Sequence, residues 1–118
     1  MTIMIVDDST SMRRMVREYL SRCSPGAKFV ECDAGEDALA AYGLSRPDWT
    51  FMDIKMGAVD GIAATRAIRS AFPDARIIML TQYNDADLRN AASRAGAVGY
   101  CLKDNISEIG TFISQPQE

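Results

Sequence analysis

Thr50-Phe51-Met52-Asp53-Ile54-Lys55-Met56-Gly57-Ala58-Val59-Asp60-Gly61 is the stretch on which the reading of this chain turns. Trp49 to Met52 is a short bulky run with the composition of a buried strand, and Asp53 ends it where the backbone leaves the sheet. Taken alone, Asp53 fits two roles: a cap for the turn that follows, or a functional carboxylate at the ligand edge of a sheet. The rest of the chain has to decide between them.

Working outward, the same pattern occurs upstream. Ile3 to Val6 is an apolar run that stops abruptly at Asp7 and Asp8, as a fully buried parallel strand with a polar mouth would. Ser9 to Ser11 then has helix-initiating character. Met12, Met15, Val16, Tyr19 and Leu20 recur at helical spacing to about Arg22, leaving Arg13, Arg14, Arg17 and Glu18 for the outer face. The turn Ser24-Pro25-Gly26 leads to a second strand over Lys28 to Cys32. Asp33 to Glu36 reads as loop and cap, and Ala38, Leu39, Ala41 and Tyr42 form a second helical stripe that Arg46-Pro47 ends.

Downstream of Asp53, the loop from Lys55 to Val59 and the pair Asp60-Gly61 precede a third helix carried by Ile62, Thr65, Ile68, Arg69 and Phe72 and stopped by Pro73. Arg76 to Leu80 predicts a strand with Thr81 at its end. Asp85 to Ala95 predicts a fourth helix, terminated by Gly96 and held weakly because its apolar face is mostly alanine. Val98 to Leu102 predicts a last strand followed by Lys103. Ile106, Ile109, Phe112 and Ile113 suggest a short final helix before the polar end Ser114 to Glu118.

Strand and helix therefore alternate five times, which implies a parallel sheet covered on both faces. Right-handed crossovers place every strand's carboxyl end on one edge. Asp7 and Asp8 close the first strand, Asp53 the third, Thr81 the fourth and Lys103 the fifth. Capping explains each of these singly but not their convergence.

With 118 residues, 47% of them hydrophobic, the chain fits a single domain, 1–118. No apolar run is long enough for a membrane span and the opening residues lack a secretory signal, so a cytoplasmic protein is expected. Cys23, Cys32 and Cys101 follow no metal-binding spacing and are expected as reduced thiols, Cys32 and Cys101 in strands. A net charge of -3 and a pI near 4.9, with no long basic run, argue against direct nucleic-acid binding. The chain has no histidine, which removes imidazole as base, nucleophile and metal ligand. Chemistry must then run on carboxylates, hydroxyls and lysine, a set that favours a hard, oxygen-liganded ion such as magnesium.

Three carboxylates in one mouth repel each other unless a cation is bound or a pKa rises. Asp8 and Asp53 can each offer Mg2+ one oxygen, with the Lys55 backbone carbonyl, and Asp7 through water, completing the set. Asp53 keeps an oxygen for attack on phosphorus, Thr81 can donate to a phosphoryl oxygen, and Lys103 can neutralise another. The alternative is that Lys103 merely pairs with an aspartate in a structural network.

Assembled in this way, the sequence resembles the receiver domain of two-component response regulators over essentially its whole length. The matching motifs are Val-Asp-Asp-Ser at 6–9, Met-Asp-Ile-Lys-Met with Asp-Gly within 52–61, Thr81, and Gly-Tyr-Cys-Leu-Lys at 99–103. The resemblance implies a doubly wound, flavodoxin-like α/β fold with strand order 2-1-3-4-5. It implies that Asp53 accepts a phosphoryl group from a phosphohistidine on a sensor histidine kinase or histidine phosphotransfer protein. It also implies that Asp7 and Asp8 form the acidic pocket and that Thr81 and Tyr100 are the switch pair. Output would pass through the face made by the fourth helix, fifth strand and fifth helix to a downstream target or output domain, in a monomer or a phosphorylation-dependent dimer. Lys55 and Tyr83 would tune the lifetime of the phosphorylated state.

The stretch Ser9 to Arg17 is similar to the first helix of chemotaxis receivers. Lys103-Asp104 is similar to receivers that precede helix-turn-helix outputs, so a longer transcription regulator is one expectation. Gly57 departs from the family's usual proline and should loosen its loop, and Gln82 replaces a small residue beside the switch threonine. At Asp104, where many receivers have proline, a cis bond is not expected.

Two other functions compete. A magnesium-dependent phosphatase of the haloacid dehalogenase type also uses an Asp nucleophile, but wants Asp-x-Asp after the first strand and a cap domain. A flavin-binding module of similar topology would need a phosphate loop that Asp7-Asp8 would repel.

Overall fold

A computed structural model describes residues 1–114, so the polar end expected from Ser114 falls outside the described residues beyond Ser114 itself. The described chain alternates β1 (Thr2–Val6), α1 (Thr10–Cys23), β2 (Lys28–Cys32), α2 (Ala38–Ser45), β3 (Trp49–Met52), α3 (Gly61–Ala71), β4 (Ile77–Thr81), α4 (Ala86–Ala95), β5 (Gly99–Leu102) and α5 (Ser107–Ser114). The five strands are all parallel in the order β2-β1-β3-β4-β5, a doubly wound, flavodoxin-like sheet.

The unbroken apolar runs follow from this architecture, because both faces of the sheet are covered and a strand must be apolar on alternate and intervening positions alike. Met4, Val6, Met52, Ile77 and Met79 face one core with α2, α3 and α4. Ile3, Ile5, Phe51, Ile78 and Leu80 face the other with α1 and α5. Each such side chain, fully buried, contributes roughly 1.5–3 kcal/mol. At the amino end of β3, Trp49 packs against Phe112 of α5, with the Arg76 guanidinium over its indole.

Helix starts follow the side chains available to satisfy free backbone N–H groups. Ser9 accepts from the Met12 amide, Asp60 from Ala63 and Asp85 from Leu88. Gly96 ends α4 at φ +108, a left-handed cap that glycine adopts without steric penalty. Gly57 sits at φ +38, so the loop after β3 takes a turn that proline, fixed near φ of about -65, cannot make. No peptide bond among the described residues is cis.

Several boundaries differ from expectation. α2 starts with a 3-10 turn, Gly35–Asp37, instead of a side-chain cap. Its buried residues are Ala38 and Tyr42, whereas Leu39 is exposed, because the short helix meets the sheet through one narrow line. β4 starts at Ile77 and β5 at Gly99, one residue later than expected in each case. Val98 is exposed at 52% even though its amide still donates to the Ile77 carbonyl. Arg13 was expected on the outer face. Its side chain is instead mostly buried between α1 and β2, donating to Glu31 at 3.0 Å.

Candidate functional site

Strand order reverses between β1 and β3, so the chain diverges there and leaves a crevice beyond the strand ends. The backbone fixes two carboxylates in it. The Asp53 amide donates to the Val6 carbonyl and the Asp7 amide to Cys32, so each aspartate sits one step past the last strand residue. Asp7 Oδ1 accepts from the Ser9 amide and Asp53 Oδ1 from the Ile54 amide, both at 2.8 Å, which leaves each second oxygen pointing inward. Lys103 Nζ lies between those oxygens, 3.0 Å from Asp7 Oδ2 and 3.1 Å from Asp53 Oδ2. Asp8 stands at the exposed rim, and one carboxylate oxygen from each of Asp7, Asp8 and Asp53 lies within 4.8 Å of the others.

Two supports hold this floor in place. Gly61 packs directly behind Asp53, where a Cβ would run into the Asp53 carbonyl. Arg13 Nη1 donates to the Asp7 carbonyl at 2.6 Å while its Nε is held by Glu31, which also binds Arg17. Sequence reasoning missed Arg13. The available signal was the four-residue spacing of Arg13 and Arg17, which places two cations on one helical face opposite the lone carboxylate of an edge strand.

The electrostatics are those of an overloaded acidic cluster. Burial, then the neighbouring Asp7 charge, pushes the Asp53 carboxyl above its ordinary value, with Lys103 pulling the other way. Burial works against the Lys103 ammonium, but its hydrogen bonds and the charges of Asp7 and Asp53 outweigh that and hold its pKa above the usual lysine value.

Above the floor lies an open cleft of about 640 Å3, walled by Ser9, Ser11, Met12 and Met15 on one side and Lys55, Gln82 and Tyr83 on the other. Lys55 Nζ is 5.7 Å from the centre of the Tyr83 ring. Of the residues expected at the site, Asp7, Asp8, Asp53, Lys55, Tyr83 and Lys103 line this one cleft. Thr81 and Tyr100 do not. Thr81 is fully buried and its hydroxyl accepts from the Tyr83 amide at 3.3 Å. Tyr100 is half-buried on the far side of the same loop, donating its hydroxyl hydrogen to the Tyr83 carbonyl at 2.6 Å. The Tyr100 ring is turned in toward this loop in this conformation. The wall residues Ser11 and Met15 were not anticipated, because a methionine three residues from Met12 at a helix start reads as core.

The response regulator receiver domain family model matches residues 3–113. The chain belongs to that family. This receiver is 35% identical to the transcriptional regulatory protein YhcZ of Bacillus subtilis over 92% of the chain and 50% of the relative. It is 38% identical to the chemotaxis protein CheY of Halobacterium salinarum over 86% of the chain and 82% of that protein. Among solved structures, a two-component response regulator of the LuxR family from Aurantimonas superposes with a TM-score of 0.88 at 33% identity, covering 95% of this chain and 81% of that one. The receiver spans about half the length of the first curated relatives it matches. The family match leaves the haloacid dehalogenase alternative without support. No helix among the described residues is long and apolar enough to cross a membrane.

Proposed function

We propose that this receiver is a phosphoacceptor switch in which Asp53 takes a phosphoryl group from a phosphohistidine of a sensor histidine kinase or histidine phosphotransfer protein. The observation that carries the reading is the grouping of three carboxylates within 4.8 Å with the Lys103 ammonium set against two of them. An Asp53 oxygen attacks phosphorus, the O–P bond forms as the N–P bond of the donor breaks, and the product is an acyl phosphate. Lys103 faces the charge that develops on the phosphoryl oxygens, and Thr81, which accepts from Tyr83, keeps its own hydroxyl hydrogen to donate to one of them.

The donor set fits magnesium: it is all oxygen, without histidine or thiolate, and its crowded negative charge is what a divalent cation relieves. Asp8, Asp53 and the Lys55 carbonyl would hold it, with Asp7 through water, and it would supply charge neutralisation between the phosphoryl group and the carboxylates. Phosphorylation and hydrolysis are self-catalysed and serve signalling, so the protein is not a metabolic enzyme. Phosphorylation draws Thr81 toward Asp53 and lets the Tyr100 ring turn in from solvent, and output passes through α4, β5 and α5 to a downstream target or output domain, in the cytoplasm, from a monomer or a phosphorylation-dependent dimer.

Treatment with acetyl phosphate and Mg2+ followed by mapping of the adduct tests the assignment: one phosphoryl group is expected on Asp53, and labelling at full yield in Asp53→Asn would refute it. Asp8→Asn should weaken Mg2+ binding more than Asp87→Asn does. Lys55 and Tyr83 flank the approach of water to Asp53, so they are proposed to lengthen the lifetime of the phosphorylated state, and their mutual contact supports a shared cover. Phosphate release from Lys55→Asn and Tyr83→Ala should be faster. Rates within about twofold of the parent, less than 0.5 kcal/mol of barrier, would exclude that role.

A further inference from the structure

The switch role of Tyr100 belongs to the reading above, and the following inference rests on it. Arg89, in the first turn of α4, lies outside the cleft, yet its guanidinium carbon is 4.5 Å from the centre of the Tyr100 ring. Asn84 Oδ1 accepts from both Nε and Nη2 of Arg89, at 3.4 and 3.2 Å, which fixes the plane of the guanidinium. Tyr100 is thus held at two points by one short segment: its hydroxyl by the Tyr83 carbonyl at 2.6 Å and its ring face by Arg89. A groove of about 160 Å3 borders the ring, so burial alone does not confine it.

We propose that Arg89, oriented by Asn84, is a positioning residue that clamps Tyr100 inward, so that the arrangement assigned to the phosphorylated receiver is already populated in the unphosphorylated one. Residues 83–89 then serve two surfaces. Tyr83 walls the cleft over Asp53, and six residues on, Arg89 in the first turn of α4 is the ring's cationic partner on the output side. Such a receiver has a high resting signal, and phosphorylation has less left to shift.

The test is carbon-13 NMR of ring-labelled tyrosines, with Tyr100 assigned through Tyr100→Phe and core Tyr42 as the control for folding. Spectra are compared for the free protein and for protein with Mg2+ and beryllofluoride. In the free parent, the Tyr100 signal should lie close to its beryllofluoride position. Arg89→Met, which keeps the stem and loses the charge, should move it toward the exposed value, with the inward-to-outward ratio falling about two- to fivefold. Arg89→Lys should return it part of the way, and Asn84→Ala should move it in the same direction as Arg89→Met but less. Tyr100 signals that coincide in the parent and Arg89→Met, with Tyr42 unchanged, would overturn the clamp. If Arg89→Met disturbs Tyr42, the Asn84→Ala comparison decides in its place. A Tyr83 signal, at the wall of the Asp53 cleft, that ignores beryllofluoride would count instead against the phosphoacceptor reading, and the free-protein comparison of Tyr100 would still judge the clamp.

Discussion

Asp53 is destabilising as an anion and useful for the same reason. Its folded pKa lies above its unfolded one, so between those two values the folded state binds more protons, and stability falls as pH rises through that window. At neutral pH the charged group is therefore a cost to folding. Asp53→Asn, which leaves Lys103 paired with Asp7, should be more resistant to urea than the parent at pH 7, and the difference should close below pH ~3.5, where the carboxyl is protonated in both states. An equal difference at both pH values would rule this account out. Gly61→Ala should lose about 1–3 kcal/mol of unfolding free energy, because the added methyl group meets the Asp53 carbonyl and the Met52 side chain. Urea titration measures it. The charged residues of the site were legible because each one abruptly ends an apolar run, as Asp7 ends Ile3 to Val6 and Lys103 follows Leu102. The bond from Arg13 to the Asp7 carbonyl was not, since its partner Glu31 comes from β2 and only the folded pairing brings them together.

At the scale of elements, the helices differ in how firmly they are held. α1 buries Met12, Val16 and Leu20, and α3 buries Ile68 with Thr65 and Ala64, whereas the fully buried side chains of α4 are only Ala92 and Ala95. Amide exchange should accordingly be faster in α4 than in α1 or α3, and equal protection would contradict this. Asp85→Ala, which removes the α4 cap, should cost about 1 kcal/mol. In α2, Leu44 is 90% exposed, and Leu44→Gln should change stability by less than about 0.5 kcal/mol. The strand and helix types were legible from continuous apolar runs against helical spacing. The second helix was less so: alanine-rich Ala38 to Ser45 is apolar on nearly every side, so the stripe through Leu39 did not mark the line of Ala38 and Tyr42 that meets the sheet.

For the whole molecule, the two cores partition the three thiols. Cys32 and Cys101 lie in strands and burial raises both, Cys101 to about 11, while Cys23 is half-buried at the end of α1. A thiol reagent should therefore modify one cysteine rapidly in the native protein and three in denaturant, and fast native reaction of two or more would overturn this packing. The edge where the carboxylates meet followed from right-handed parallel crossovers, and the strand order from the resemblance to receivers. The position of Tyr100 against Tyr83 depended instead on a loop conformation that no periodicity encodes. The layout of the sheet also sets what light can report. The single tryptophan begins β3, four residues before Asp53 and roughly 13 Å away along an extended strand. Its emission, shaped by Arg76 and Phe112, should track the docking of α5 and global unfolding while staying nearly silent as Mg2+ or a phosphoryl mimic binds. A fluorimeter would thus see this receiver melt but not see it signal.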